Sequence, residues 1–225
     1  PAHGSTSVNT TTGWVQYIPA ANYYGSDSFT YTVQDDDGAT SNAATVTITV
    51  REEHQITLKT GWNLIATPCY DWISKSEITV YYLGGPHTWN EAIADGYLYG
   101  ILYNYTSGGW TFSDSLDPGY GYWLWAIHDC SLLFYSNEDG TGHITNLKTG
   151  WDIIGLPYRA SIAKTATLFE NTTRTYTWNE AVSNHMILGY IYGWNSTSQM
   201  YELSDNIVPT KGYWMFAYQN CIMKK

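Results

Sequence analysis

The segment Leu58-Lys59-Thr60-Gly61-Trp62-Asn63-Leu64-Ile65 occurs twice in this chain, and its repetition sets the architecture. The second copy, Leu147-Lys148-Thr149-Gly150-Trp151-Asp152-Ile153-Ile154, follows 89 residues later. Residues 88–92, Thr-Trp-Asn-Glu-Ala, recur unchanged at 177–181 with the same offset. A fixed period of this kind predicts that one structural unit is used twice in tandem.

The far end of the unit also recurs, with the offset increased to 91 residues. Pro118, Gly121-Tyr122-Trp123 and Cys130 return as Pro209, Gly212-Tyr213-Trp214 and Cys221. One two-residue insertion therefore separates two otherwise matching copies. We expect three domains, at residues 1–51, 52–137 and 138–225, with residues 138–142 forming the turn between the copies.

Residues 1–50 alternate polar and apolar side chains, which is typical of half-buried β-strands. The strand-like segments are 14–18, 28–33 and 44–50, with turn-forming residues between them. Because one face of such strands must be buried, a second sheet is needed, and the pattern predicts a β-sandwich. Three or four strands are too few to close one.

The repeats are predicted to be mostly β as well. Each opens with a strand segment, 55–67 or 144–156, that is broken by a Lys-Thr-Gly turn. Residues 74–77 fit a capping box for a short helix, and residues 96–103 and 187–194 alternate as strands do. The predicted fold class is mostly β: a partial Ig-like β-sandwich followed by two tandem homologous β-rich repeats with little helix.

The first 50 residues resemble the C-terminal half of a cadherin-like, tandem-repeat Ig-like domain of prokaryotic surface proteins. The resemblance lies in Pro-Ala-His-Gly-Ser at residues 1–5, in residues 17–33, in the Asp-rich turn 35–38 and in residues 44–50. It implies that early strands of the domain precede this point. We expect either a piece of a longer protein or an edge completed by β-strand addition from a neighbour.

Residues 55–225 resemble a duplicated repeat of archaeal and bacterial cell-surface proteins. The resemblance covers residues 56–134 and 145–223, through the Gly-Trp-Asn-Leu-Ile…Pro opening and the Gly-Tyr-Trp close. It implies an extracellular, cell-surface location and does not indicate an activity.

Composition restricts the partners. The chain has 21 Tyr and 11 Trp, and its net charge is −10 at pH 7. The acidic charge argues against nucleic acid and anionic membranes. No run of 18 apolar residues is present, so no membrane-spanning segment is expected.

Two sets of acidic residues are candidate sites. Asp35, Asp36 and Asp37, with Asp27 nearby in sequence, could supply oxygen ligands to calcium, and the cadherin-like resemblance also implies calcium. A solvated hairpin turn is the simpler interpretation of this run. Glu91 and Glu180 each follow a Trp-Asn pair and could line a sugar subsite or supply one half of a glycosidase pair. Because neither repeat offers a partner carboxylate, shared packing explains them better.

Other chemistry-bearing residues give weaker signals. Cys69 and Cys130 could form a disulfide within the first repeat, leaving Cys221 free, or all three could be buried thiols. The six histidines show no metal-ligand spacing, and no catalytic motif is present. The Asn-x-Ser/Thr sequons are candidate glycosylation sites, and those at 104 and 195 are expected in equivalent turns of the two repeats. They are Asn9, Asn104, Asn171 and Asn195.

These observations favour a non-enzymatic extracellular structural module of a cell-surface, S-layer-like, adhesive or filamentous protein. The expected partners are neighbouring copies or other surface proteins, joined by β-strand addition, and glycans. The alternatives are a carbohydrate-binding module that uses exposed Trp and Tyr, and an accessory domain of a larger secreted hydrolase. Exposed coplanar Trp and Tyr faces would favour sugar binding over a structural role.

Overall fold

A computed structural model describes residues 1–106, 108–136 and 142–225. Strands account for 54% of the residues and helices for 8%, which confirms the mostly-β prediction. The chain divides into two compact units, Pro1–Glu52 and Glu53–Lys225, so the two repeats share one unit. Residues 138–141 of the predicted turn between the repeats lie outside the described residues.

The first unit contains two antiparallel hairpins. Strand β1 (Gly4–Val8) pairs with β2 (Val15–Pro19), and β3 (Gly25–Tyr31) pairs with β4 (Ala44–Val50). The polar sequence of β1 does not alternate, so the periodicity did not reveal it. Residues 1–52 are all described, and Asp27 alone among them is buried. The apolar side chains of these hairpins are therefore only half-covered.

Each repeat contains the same series of elements, with one short α-helix and one single-turn 3-10 helix. The first repeat contains β5 (Glu52–Leu58), β6 (Gly61–Ala66), β7 (Ile73–Ser74), β8 (Thr79–Tyr82), β9 (Gly85–Thr88), α1 (Trp89–Ala94), β10 (Leu102–Thr106), β11 (Gly109–Ser113), β12 (Ser115–Leu116), β13 (Gly121–Ala126) and β14 (Cys130–Ser136), with a 3-10 helix at Lys75–Glu77. The second contains β15 (Ile144–Leu147), β16 (Gly150–Ile154), β17 (Ile162–Ala163), β18 (Leu168–Glu170), β19 (Thr175–Thr177), α2 (Trp178–Ser183), β20 (Ile187–Asn195), β21 (Met200–Ser204), β22 (Asn206–Ile207), β23 (Tyr213–Ala217) and β24 (Cys221–Lys224), with a 3-10 helix at Lys164–Ala166.

Each repeat contains two four-stranded antiparallel sheets, and a two-stranded sheet of β7 with β12 or β17 with β22. The strand orders of the four-stranded sheets are β11-β10-β13-β6 and β5-β14-β8-β9 in the first repeat, and β21-β20-β23-β16 and β15-β24-β18-β19 in the second. The apolar core of each repeat draws on both of its four-stranded sheets: Leu124 and Leu132 belong to the first core, and Met215 and Met223 to the second. The duplication seen in the sequence is thus a duplication of one sheet-on-sheet sandwich.

Polar side chains hold the repeated Lys-Thr-Gly turn, which carries the chain from one sheet to the other. The Lys59 N–H donates to Asn63 Oδ1, and the equivalent Lys148 N–H donates to Asp152 Oδ2, both at 2.9 Å. Gly61 has a φ of +102°, a backbone conformation that glycine adopts without steric cost. The repeated motif therefore specifies a turn as well as two strands.

One strand prediction was wrong in the first repeat. Residues 96–101 do not form a strand, because the N–H groups of Tyr97 and Leu98 both donate to Ala92 O and close the end of α1. In the second repeat, β20 begins at Ile187 as predicted, and a change of register lies between Ile187 and Ile191. The capping box predicted at residues 74–77 is present.

The two repeats face each other with local two-fold symmetry. The Ala66 N–H donates to Thr210 O, and the equivalent Gly155 N–H donates to Gly119 O, both at 3.0 Å. Such reciprocal contacts between equivalent residues are the property of an isologous interface. The second unit is therefore an intramolecular pair of sandwiches.

Gly121 lies at a close approach of the backbones of the two repeats. A Cβ atom added to Gly121 would lie 3.0 Å from Gly212 Cα, 2.6 Å from Ile153 Cγ2 and 2.8 Å from Ile154 O. No side chain fits between the repeats at this point.

We predict that Gly121→Ala destabilises the second unit by about 1–3 kcal/mol, because the added methyl group forces the repeats apart. Chemical denaturation monitored by tryptophan fluorescence measures the effect. The matched control is Gly109→Ala in β11, where a Cβ meets no atom within 4 Å. Equal stability of the two variants would contradict the close approach at Gly121.

Candidate functional site

The inner sheets of the two repeats, those containing β6 and β16, present an aromatic face to each other. Tyr103 pairs with Trp123 in the first repeat, and Tyr192 pairs with Trp214 in the second. Side chains of paired residues lie on one side of a sheet, and alternate residues along a strand share that side. The equivalent positions of the aromatic face are Trp62/Trp151, Leu64/Ile153, Tyr103/Tyr192, Tyr105/Trp194, Trp110/Tyr201, Phe112/Leu203, Trp123/Trp214 and Trp125/Phe216.

The centre of the aromatic face joins the repeats. Leu64, Trp123 and Ile153 are buried together there, and half-buried rings from both repeats pack around them. Rings near the margin are largely exposed to solvent, at 54% for Trp110 and 56% for Tyr201. The same surface is therefore an interface at its centre and an open, aromatic margin at its edge.

Hydrogen bonds from the second repeat fix Trp62. The indole N–H of Trp194 donates to Trp62 O at 2.7 Å. Gln199 accepts from the Trp62 N–H at 2.8 Å and donates to Trp62 O at 3.0 Å. Gln199 lies in the hairpin loop that contains the two-residue insertion, since Asn195 pairs with Met200 whereas Thr106 pairs with Gly109. The longer loop thus reaches across to the first repeat.

Asp152 of the second repeat makes a further polar contact with the first repeat. Its buried carboxylate accepts from Thr106 Oγ1 at 2.5 Å through Oδ1, while Oδ2 holds the Lys148 turn. Among the described residues, the equivalent Asn63 is hydrogen-bonded within its own turn, to Lys59 and Gly61. The interface is therefore two-fold in its backbone and asymmetric in its side chains.

Two recesses open beside the interface, each about as large as a small-ligand site. The first recess has a volume of about 520 Å³ and is lined by Trp62, Tyr103, Trp110, Phe112, Trp123, Trp194 and Tyr201. The second recess has a volume of about 530 Å³ and is lined by Tyr105, Trp151, Tyr192, Tyr201 and Trp214. Both combine rings from both repeats, so neither exists in one repeat alone.

The rings of the recesses stand steeply to one another. Trp62 and Trp123 meet at 83°, Trp123 and Trp194 at 79°, and Trp123 and Tyr201 at 90°. No described ring pair within either recess is stacked. Contacting rings in the recesses therefore do not form the coplanar arrangement that would favour sugar binding.

Sequence reasoning missed this site because it assigned the alternating aromatic residues to a single core. The signal was available in β13, whose Tyr122-Trp123-Leu124-Trp125 sequence is apolar on both faces. A strand that is apolar on both faces packs against two layers, not one. The second layer here is the other repeat.

Asp27 has a structural role in the first unit. Its carboxylate accepts hydrogen bonds from the N–H groups of Ala2, His3 and Ser28 and from Tyr17 Oη, at 2.8 to 3.0 Å. Burial alone would raise the pKa of Asp27, but these four donors hold that pKa well below its usual range. The same contact, together with burial, raises the pKa of Tyr17 to about 12.

The Asp-rich run does not join Asp27 in a metal site. Asp35 Oδ1 accepts from the Ala39 N–H at 2.7 Å, and residues 34 and 40 form a β-bridge, so the run is a hairpin turn. Asp36 and Asp37 lie exposed in this turn. Across the described residues, no group of three His, Cys, Asp or Glu side chains is placed to hold a metal ion.

The repeated Trp-Asn-Glu-Ala motif is a helix start. Glu91 Oε2 accepts from the Thr88 N–H and Oγ1, both at 2.8 Å, and Glu180 makes the same contacts to Thr177. These capping hydrogen bonds lower the pKa of both glutamates. A general acid needs the opposite shift, and the helix capping hydrogen bonds account for the repeated glutamate.

All three cysteines are free and buried, so the predicted Cys69–Cys130 disulfide is not formed. Cys130 and Cys221 occupy equivalent places in the two cores, as their repeat positions predicted. Burial raises the pKa of each to about 11, which keeps both as unreactive thiols at neutral pH. The alternative of three buried thiols is the one that the structure adopts.

The sequons differ in their surroundings. Asn9 and Asn171 lie in turns, and Asn195 ends β20 next to a turn. Each side-chain oxygen accepts from backbone N–H groups two and three residues further on. Asn104 is buried within β10, and its Nδ2 donates to Gly121 O at 2.7 Å. By strand pairing Asn104 is equivalent to Gly193, so the expectation that it shares a turn with Asn195 was wrong.

Comparison with known protein families gives a match to the first unit. Residues 1–52 match the family described as the bacterial cadherin-like domain. This match supports a cadherin-like, Ig-like segment, a class that is typically extracellular, and indicates a structural or adhesive module. Neither the curated proteins nor the solved structures gave a match to the chain. In the described part, no helix is long and apolar enough to cross a membrane.

We predict that the first unit loses stability as the pH falls below about 4, the ordinary pKa of an aspartate. The lowered pKa of Asp27 gives the direction of this change in stability. The carboxylate stabilises the fold when it is ionised, and protonation removes that contribution. Amide NMR signals of Ala2, His3 and Ser28, followed through an acid titration, report the loss. Asp27→Asn should abolish this pH dependence and Asp36→Asn should retain it. An unchanged titration in Asp27→Asn would refute the assignment.

We also predict that a folded chain exposed to an N-glycosylating system is modified at Asn9, Asn171 or Asn195 and not at Asn104, whose amide nitrogen is buried. Intact mass and glycopeptide mapping measure occupancy. Asn104→Ala should lower stability by about 1–3 kcal/mol, because Gly121 O loses its donor. A glycan on Asn104 in the folded protein would contradict the burial of its side chain.

Proposed function

We propose that the chain is a non-enzymatic module of an extracellular structural or adhesive protein that joins neighbouring copies at a cell surface. The observation that carries this proposal is the bacterial cadherin-like match over residues 1–52. The finer form of the proposal is an S-layer-like or filamentous assembly of such modules, with glycans on exposed turns.

The placement of the polar side chains supports a non-enzymatic role. Glu91, Glu180 and Asp27 are engaged by backbone and hydroxyl donors, and Asp152 holds a turn and the interface. Groups committed in this way have stable charges and fixed partners, whereas catalytic acids and bases need pKa values tuned near the working pH.

The first unit offers a surface for association. On β3 and β4, the side chains of Phe29, Val46, Ile48 and Val50 are half-buried, while Ser28 and Thr47 on the opposite side are exposed. Two two-stranded sheets also leave strand edges that can accept another strand. A neighbouring copy that covers this face or adds a strand would complete the sandwich.

Carbohydrate binding is a less well supported function. The exposed rings of Trp110 and Tyr201 favour it, since one ring face can stack on a sugar. The steep angles between the recess rings count against it, because they leave no flat platform for a sugar chain.

We expect the 1–225 chain to self-associate as its concentration rises, measured by sedimentation velocity, and to form ordered polymers visible by electron microscopy. Val46→Lys should weaken association, because it places a charge on the half-covered face. The control is Thr47→Lys on the exposed side of the same strand. Amide NMR signals of Ala2 and His3 verify that the first unit of each variant is folded.

Two outcomes would overturn this proposal. The first is a chain that remains monomeric over the whole accessible concentration range. The second is equal weakening by Val46→Lys and Thr47→Lys in folded protein, since that result would assign the effect to net charge and not to the apolar face.

A further inference from the structure

The two recesses of the second unit are related by the local two-fold symmetry and are independent of the first unit. In the first recess, Trp62, Tyr103 and Trp123 come from one repeat and Trp194 and Tyr201 from the other. In the second recess, the equivalents Trp151, Tyr192 and Trp214 meet Tyr105 of the first repeat. The duplication has thus produced two sites with similar walls.

Ring orientation restricts the shape of a fitting ligand. Around Trp123, the centroids of Trp62, Trp194 and Tyr201 lie 5.9, 4.9 and 6.1 Å away, at angles between 79° and 90°. The ring faces therefore point in several directions and share no plane. A flat molecule can contact one such face, whereas a compact, nearly spherical group can contact several at once.

The charge of the site restricts the ligand further. The face of an aromatic ring carries negative electrostatic potential and attracts cations. The lining residues that the structure describes for either recess include no lysine or arginine. Elsewhere the chain does place its own cations over rings, with Lys75 over Trp89 at 5.8 Å and Arg174 over Tyr176 at 4.2 Å. The recess rings are left for an external cation, in a protein of net charge −10.

The apolar walls select among cations. A primary ammonium is strongly hydrated, and moving it among indole and phenol rings costs hydration that the rings do not replace. A trimethylammonium group carries the same charge behind methyl groups, which are apolar and pack against rings. Aromatic enclosures are the usual means of binding such groups.

We propose that each recess binds the trimethylammonium group of a small soluble compound such as choline. Trp123 in the first recess and Trp214 in the second form the inner wall, and the exposed Trp110 and Tyr201 form the outer wall. The remaining volume accommodates the rest of a choline-sized molecule. Choline binding in the recesses does not depend on association of the chain through its first unit. The two can therefore be tested, and refuted, independently.

The first test compares choline with 3,3-dimethylbutan-1-ol, in which carbon replaces the charged nitrogen without changing the shape. Ligand-observed NMR on the 1–225 chain should show saturable binding of choline, with the methyl signals shifted upfield by the ring currents. Choline should bind about tenfold more tightly than the neutral isostere, because only the charge differs. Cellobiose should cause no comparable effect.

The second test uses exposed rings, whose removal leaves the core intact. Tyr201→Leu should weaken choline binding at both recesses, since Tyr201 lines both. Trp110→Leu should weaken binding most at the first recess, which Trp110 lines, and less at the second, where Trp110 meets Trp214 in a T-shaped contact with the ring centroids 5.9 Å apart. The control is Trp72→Leu, a residue 72% exposed that lines neither recess. Unchanged thermal unfolding of the variants verifies that they are folded.

Several results would overturn the proposal. Equal affinity for choline and its neutral isostere would make the recesses simple apolar pockets. Tighter binding of cellobiose would make them sugar sites. Binding to phosphatidylcholine vesicles without binding of free choline would assign them to a lipid surface. Equal loss of binding in Trp72→Leu and Tyr201→Leu would show that the recess rings are not the site.

Discussion

The second unit depends on the close approach of its two repeats at Gly121 and Gly212. No side chain lies between the backbones there. Because the repeats come this close at the local two-fold axis, there is no room for all the large rings of the aromatic face to pack between them. Trp123, Leu64 and Ile153 fill the centre, and the other rings are displaced to either side. The recesses are thus a geometric consequence of two small residues placed between bulky ones.

The sequence predicted the duplication and the mostly-β character of each repeat, but not how the strands form two sheets or how the repeats meet. The offsets of 89 and 91 residues gave the duplication and the position of the insertion, and the capping sequence at residues 74–77 gave a helix start. Alternation failed at residues 96–101, where local hydrogen bonds closing α1 take priority over strand pairing. The recesses were beyond prediction because each combines rings from both repeats, such as Trp62 and Trp194 in the first recess, and only tertiary packing decides that they meet.

The two repeats share the side chains that hold the backbone and differ in those at the margin of the aromatic face. Side chains that hold the backbone keep their role: Asn63 and Asp152 both hold the Lys-Thr-Gly turn, and the glutamates of the two helix starts make identical hydrogen bonds. The margin of the aromatic face differs between the copies. Trp110 of the first repeat is replaced by Tyr201 in the second, and Phe112 is replaced by Leu203. The frame is therefore the same in both copies while the walls of the recesses are not.

Carrying both halves of an isologous interface in one chain changes the physical behaviour of that interface. Separate repeats would meet in a bimolecular reaction and would dissociate on dilution. Here the connection between β14 and β15 holds the halves at a high effective concentration, so their contact is independent of how dilute the protein becomes. The two halves can also differ in sequence, whereas the two subunits of a homodimer must be identical. A one-sided contact such as Gln199 with Trp62 can exist without a mirror image.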